Sequence, residues 1–291
     1  MDPKSLPAGD DIPAETLAFY RQAMTLLRAA ELPFLVGGAY AFARYTGIVR
    51  HTKDFDVFIR ERDFDRALGV LQKGGFRVER SFPHWLGKAF SGDDFVDLIW
   101  SSGNGIARVD DIWFEQAPPG EVLGMQVKLC PAEEMIWSKA FIMERERYDG
   151  ADVAHILQCC AEELDWPRLL ARFGAHWRVL LSHLILFGYI YPADAGRLPA
   201  TVLATLTQRL RSDEPAPEGG EPLCRGTILS RAQYLVDLER GGYHDARLRP
   251  GGTMSAEDIE SWTAAIADDG PEAGASAPLH GQGTARTPGG R

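Results

Sequence analysis

Residues 34–59, FLVGGAYAFARYTGIVRHTKDFDVFI, constrain this chain more than any other stretch. An apolar run ends in Gly37-Gly38, a short helix-like segment follows, and Asp54-Phe55-Asp56 heads a second apolar run. Residues two apart on a strand project from one face, so Asp54, Asp56 and Phe58 point one way and Phe55, Val57 and Ile59 the other. Glycines at 37 and 38 permit a tight turn or a close approach of the backbone to a ligand. Two carboxylates facing such a turn suit divalent cations and a phosphate chain.

The pattern around this stretch predicts a first half of mixed helices and strands. Leu17, Tyr20, Met24 and Leu27 recur at steps of three and four and predict a helix over 14–31, ended by Pro33. Residues 34–36 and 54–59 read as strands, with two turns of helix between them closed by Gly47. Asp63 suits the N-cap of a helix carrying Phe64, Leu68 and Leu71, stopped by Gly74-Gly75. Strands are expected over 76–80, 86–90 and 95–100, the last two joined as a hairpin by Ser91-Gly92-Asp93-Asp94. Short strand-like pieces at 122–123 and 125–129 finish this half.

After Cys130-Pro131 the periodicity turns helical. Helices are expected over 133–144 with Pro131 at its first position, from about 149, after a cap at Asp165, over 177–189 and over 199–210. The 177–189 segment is apolar all round, as for a helix at the centre of a bundle. SDEPAPEGGEP at 212–222 is a loop by composition, and 225–240 reads as one last packed helix. The remainder is linker-like, with a short helix over 255–266. Residues 1–12 read as a frayed end, and from 268 onward Gly, Ala, Pro and Thr carry a disorder signature.

Composition excludes several classes. A net charge of −10 gives no general footprint for DNA, although a local basic patch for an RNA such as tRNA stays open. Cys130, Cys159, Cys160 and Cys224 include no C-x-x-C, which argues against a zinc site or a disulfide framework and fits a reducing cytosol. The opening MDPKSLPAGDD has no apolar core of a leader, and no apolar run approaches the roughly 18 residues of a membrane span. The expectation is a cytoplasmic protein without a membrane partner. His176 and His183, seven apart, read as structural, and Cys159-Cys160 as helix packing.

At Gly37-Gly38 and Arg50-x-Thr52-x-Asp54-x-Asp56 the chain resembles the nucleotidyltransferase superfamily related to DNA polymerase beta. Within it the chain looks like the bacterial branch holding abortive-infection nucleotidyltransferase toxins and lincosamide or aminoglycoside adenylyltransferases. The resemblance covers residues 34–100 well and 130–157 more loosely. Many members carry Gly-Ser at the turn, where position 38 here is Gly; phosphate contact would then rest on backbone N–H groups opening the next helix. The resemblance implies an α+β fold: a small mixed β-sheet nucleotidyltransferase domain with flanking helices over 13–130. An α-helical bundle domain over 131–242 and a linker with a disordered C-terminal tail over 243–291 would follow.

The family needs a third carboxylate on a neighbouring strand, and Asp97 in Phe95-Val96-Asp97-Leu98-Ile99-Trp100 is the candidate. An acid among apolar strand residues is costly to bury unless paired or bound to a cation. Asp93 and Asp94 read as turn formers, and Asp110 and Asp111 lack a strand context. The implied catalytic and metal-binding residues are Asp54, Asp56 and Asp97, holding Mg²⁺ or Mn²⁺. Gly37, Gly38, Arg50, Thr52 and Lys139 would bind the nucleotide, with Arg50 and Lys53 flanking the acids. Lys139, Arg145, Asp149 and Asp152 match a second family pattern, although Tyr148 stands where Arg is expected. The implied reaction moves a nucleoside monophosphate from an NTP to a hydroxyl of a small molecule, protein or RNA. A catalytically silent binding module and a metal-dependent phosphohydrolase using the same acids stay open beside it.

Overall fold

The computed structural model describes residues 12–50, 52, 54–212 and 222–265. The frayed opening, most of the 212–222 loop, Lys53 and the tail from 268 lie outside the described residues. The first half runs α1 (Ala14–Ala29), β1 (Leu35–Val36), α2 (Gly38–Thr46), β2 (Asp54–Phe58), α3 (Phe64–Lys73), β3 (Arg77–Phe82), β4 (Leu86–Ser91), β5 (Asp94–Ile99), α4 (Asp111–Glu115), β6 (Pro119–Val122) and β7 (Met125–Lys128). Next come α5 (Ala132–Lys139), α6 (Gly150–Cys160), α7 (Trp166–Phe173), α8 (Trp177–Ile190) and α9 (Ala200–Arg211). The chain returns through β8 (Leu223–Cys224), α10 (Gly226–Leu229), α11 (Leu235–Glu239), β9 (His244–Asp245) and α12 (Ala256–Ala264).

The fold is α+β. Five strands form one mixed sheet in the order β1-β2-β5-β4-β3, in which β2 and β5 are parallel and the other neighbours antiparallel. Alternation sets its two faces: Phe55, Val57, Val96 and Leu98 are fully buried, while Asp54, Asp56 and Phe58 lie on the partly open face. On the buried side Tyr20 of α1 stacks on Phe55 at 4.9 Å. One cluster of buried apolar side chains runs from Phe19 to Ile228 and so joins sheet and helices in a common core.

Several elements depart from the sequence pattern for local reasons. Asp63 does not cap α3 with its side chain, because residues 61–63 form a tighter helical turn leading into it. Asp110, read as having no strand context, caps α4 by accepting from the N–H groups of Ile112 and Trp113. The helix expected over 133–144 stops at Lys139, with Pro131 at its N-cap. Beyond it the chain folds back, with Glu144 N–H donating to Arg147 O and Asp149 N–H to Ile142 O. The helix expected over 225–240 breaks at Ser230, whose backbone is extended. The apolar α8 is central through Trp177, Leu180, Leu184 and Phe187, but Ile185, Leu186, Tyr189 and Ile190 are exposed. The linker expected from 243 is packed as far as 265: β9 pairs with β8, Arg247 is fully buried, and Trp262 of α12 meets Phe82 and Trp85 edge-on at 5.2 Å.

No helix among the described residues is long and apolar enough to cross a membrane.

Candidate active site

Strand pairing assembles the acids. Asp54 and Asp56 share one face of β2, and the parallel register sets Asp56 directly beside Asp97 on β5. The three side chains each present an oxygen within 4.8 Å of the others, the one such metal-competent group among the described residues. Hard carboxylate oxygens at this spacing fit a divalent ion such as Mg²⁺, which prefers oxygen ligands.

The glycine turn abuts this cluster. Gly37 N–H donates to Asp56 O at 3.0 Å, and α2 begins at Gly38. Gly38 has φ +52°, and a Cβ there would lie 1.7 Å from Asp56 Oδ2. Position 38 therefore has no room for the serine that many members of the resembled family carry. The first turn of α2, with N–H groups that lack intrahelical partners, opens beside the acids.

Burial and mutual repulsion dominate the electrostatics of the acids. Burial pushes the Asp56 carboxyl up to about 7, and the neighbouring charges of Asp97 and Asp54 add to that. Burial also raises Asp97, against which Lys88 works: its Nζ donates to Asp97 Oδ1 at 2.8 Å. Lys88 sits opposite Asp97 on β4 and rests over the Phe95 ring. Thr52, expected at the nucleotide, donates its hydroxyl to Asp54 Oδ1 and so orients that carboxylate.

The basic residues are arranged differently from the sequence expectation. Arg50 lies over the Phe42 ring and pairs with Asp152 at 2.5 Å. Lys139 lines the cleft with its Nζ 2.8 Å from both Asp149 and Asp152. Burial opposes its charge, but the two carboxylates outweigh burial and raise its pKa. Burial alone would raise Asp149 too, yet Lys139 and Arg147 hold it well below the usual carboxylate range. Arg147, not Arg145, turns toward this site: it pairs with Asp149 at 2.9 Å and lines the cleft. Arg145 stays exposed beside Glu146. Lys139 keeps a third ammonium N–H beyond its two carboxylate partners.

The acids, Gly38, Lys139 and Arg147 line a single cleft of about 240 Å³ between the sheet and the helical half. Its far wall is made by residues 227–231 and Trp262, brought in by the returning segment. Sequence reasoning missed Lys88, although counting back from the turn (91 opposite 94, 90 opposite 95) places it opposite Asp97. It also missed Trp85, Ser101 and Trp262, and for Trp262 no local signal exists, since it arrives from far along the chain.

No protein-family model and no curated relative matches the sequence. Solved structures do match. An antigenic nucleotidyltransferase-like protein from Paracoccidioides brasiliensis is 16% identical over 64% of this chain and 94% of its own, with a TM-score of 0.44. ANT(2'')-Ia in complex with adenylyl-2''-tobramycin is 17% identical over 68% of this chain and 99% of its own, at a TM-score of 0.37. The lincomycin-bound lincosamide antibiotic adenylyltransferase LnuA is 12% identical over 49% and 96%, at 0.35. These likenesses are at low identity and low TM-score, and the chemistry rests on this chain's own side chains.

Proposed function

We propose that the protein is a divalent-metal-dependent nucleotidyltransferase that moves a nucleoside monophosphate from an NTP to a hydroxyl acceptor, releasing pyrophosphate. The observation that carries this reading is the meeting of Asp54, Asp56 and Asp97 against the glycine turn that opens α2. Asp54, Asp56 and Asp97 would hold Mg²⁺ or Mn²⁺, which when bound supplies charge neutralisation at the phosphates. The first turn of α2, with Lys139 and Arg147 across the cleft, binds and orients the triphosphate. Thr52 fixes Asp54, and Lys88 fixes Asp97. The acceptor oxygen bonds to the α-phosphorus as the bond to the bridging oxygen of the β-phosphate breaks. Pyrophosphate leaves with that electron pair, and in this reading Asp97 takes the hydroxyl proton. Most of the acceleration comes from positioning and charge stabilisation. In this reading residues 13–130 are the catalytic domain and 131–242 the helical domain that builds the acceptor side.

The test incubates the protein with each labelled NTP, Mg²⁺ and a cell extract, with Asp54→Ala/Asp56→Ala as the control. Pyrophosphate release with a labelled acceptor, lost by at least about a hundredfold in the control, is expected. Release of orthophosphate alone would instead make the protein a hydrolase. Absence of both turnover and Mg²⁺ binding would defeat the enzyme reading.

A further inference from the structure

The cleft continues beyond the acids. Asp97, Ile99 and Ser101 follow at two-residue steps, all line it, and four residues of extended chain put Ser101 at most about 14 Å from Asp97. Trp85, Ile99 and Trp262 give this end apolar and aromatic walls. Two of its polar atoms are buried without a hydrogen-bond partner: Ser101 Oγ, on a residue only 3% exposed, and Trp85 Nε1. A buried donor left unpaired is costly, and both of these sit on residues that line the cleft. The neighbouring polar side chains are committed. Asn104 donates to Ile228 O and accepts from Ser102 and Ile106, and Glu144 is forked by Arg231 at 3.0 and 3.1 Å.

We propose that this end of the cleft is the nucleobase subsite for the donor nucleotide, with Trp85 Nε1–H and Ser101 Oγ–H donating to acceptor atoms on the base edge. The inference rests on the NTP reading above. A nucleobase is neutral and flat, presents ring nitrogens and carbonyl oxygens along its edge, and has a π-face that aromatic walls accommodate. Both unmet groups can donate, and Glu144 in the same lining is already paired with Arg231. That chemistry favours a neutral heterocycle over a polyamine, which would need free carboxylates. With the triphosphate at α2, the ribose spans the stretch between Asp97 and Ser101.

Calorimetry with Mg²⁺ and no acceptor tests this, using ATP, CTP, GTP and UTP in turn and inorganic tripolyphosphate as the probe that lacks a base. Ser101→Ala removes only the hydroxyl; Trp85→Phe removes the indole N–H together with the five-membered ring and so also thins the aromatic wall that Trp85 forms with Phe82 and Trp262. The wild type is expected to bind at least one NTP more tightly than tripolyphosphate. Each variant should weaken that NTP about fivefold while leaving tripolyphosphate affinity unchanged. Ser101→Ala should keep or raise the melting temperature, since its hydroxyl has no partner in the free protein, whereas Trp85→Phe should lower it through lost ring packing. Equal losses for NTP and tripolyphosphate, unchanged NTP binding in both variants, or a wild type without preference for any base would each overturn the subsite while leaving the triphosphate reading standing. A wild type that binds neither probe would remove both.

Discussion

At the residue scale, Asp56 is where the fold and the chemistry compete. Its carboxyl is raised to about 7 by burial and by Asp97 and Asp54, against an ordinary value near 4. Between those values the folded protein holds a proton that the unfolded chain has released, so this group's contribution to stability falls as pH rises through the window. Asp56→Asn removes the penalty. In chelator, its denaturation midpoint should gain on the wild type from about pH 4 to about pH 7 and keep a constant lead above that. Mg²⁺ at pH 8 should narrow or reverse the lead, because only the wild type keeps the full acid cluster; a pH-independent gap would mean that Asp56 ionises normally. Gly38 is the matching constraint on the backbone. Gly38→Ala imposes a side chain at φ +52° and drives its Cβ onto Asp56. It should cost about 1–2 kcal/mol of stability and about tenfold in Mn²⁺ affinity measured by electron paramagnetic resonance. Unchanged Mn²⁺ affinity would show that the turn does not shape the acid site.

At the scale of elements, what was legible in the sequence was what local periodicity encodes. The alternation in Asp54-Phe55-Asp56-Val57 assigns the faces of β2, and the 91–94 turn fixes the hairpin register that brings Lys88 to Asp97. Asp97 stood out because an acid in an apolar strand needs a partner. The end of α5 was not legible: 133–144 keeps helical spacing, but tertiary pairing of Lys139 with Asp149 and Asp152 rewards a chain that folds back after residue 139. The fold-back also brings Arg147, itself largely exposed, to Asp149, while Arg145, matched by spacing, stays beside Glu146. Lys139→Met keeps the bulk and, among the described residues, leaves Asp149 paired with Arg147 and Asp152 with Arg50. It should destabilise by about 2–4 kcal/mol, less than fully orphaning a buried charge. It should also weaken tripolyphosphate binding in the presence of Mg²⁺. A loss of stability without any change in tripolyphosphate affinity would make Lys139 a strut rather than a phosphate contact.

At the scale of the whole molecule, ionic and apolar links make the sheet and the helices one body. Arg168 reaches Glu133 and Glu134 at 2.7 and 2.5 Å, while Arg172 joins Glu134 to Asp110 at the cap of α4. Glu134 is fully buried between two guanidinium groups, so this contact orients α5, and with it Lys139, against the sheet half. No sequence window could show it, because its members lie on separate elements. The returning segment has a different standing. The main core cluster ends at Ile228, and residues 243–265 add buried Met254 and Arg247 outside it, bring Trp262 to the cleft and join Asp245 to Thr227. A chain ending at residue 242 should still fold, with its far-ultraviolet circular dichroism reduced only by the lost β9 pairing and α12, and should still bind Mn²⁺ at the three acids. It should lose the distinction between NTP and tripolyphosphate, because the wall that Trp262 forms beside Trp85 is gone. Retained base preference in the shortened chain would place nucleotide recognition elsewhere in the cleft, and loss of Mn²⁺ binding would show that the returning segment supports the acids themselves.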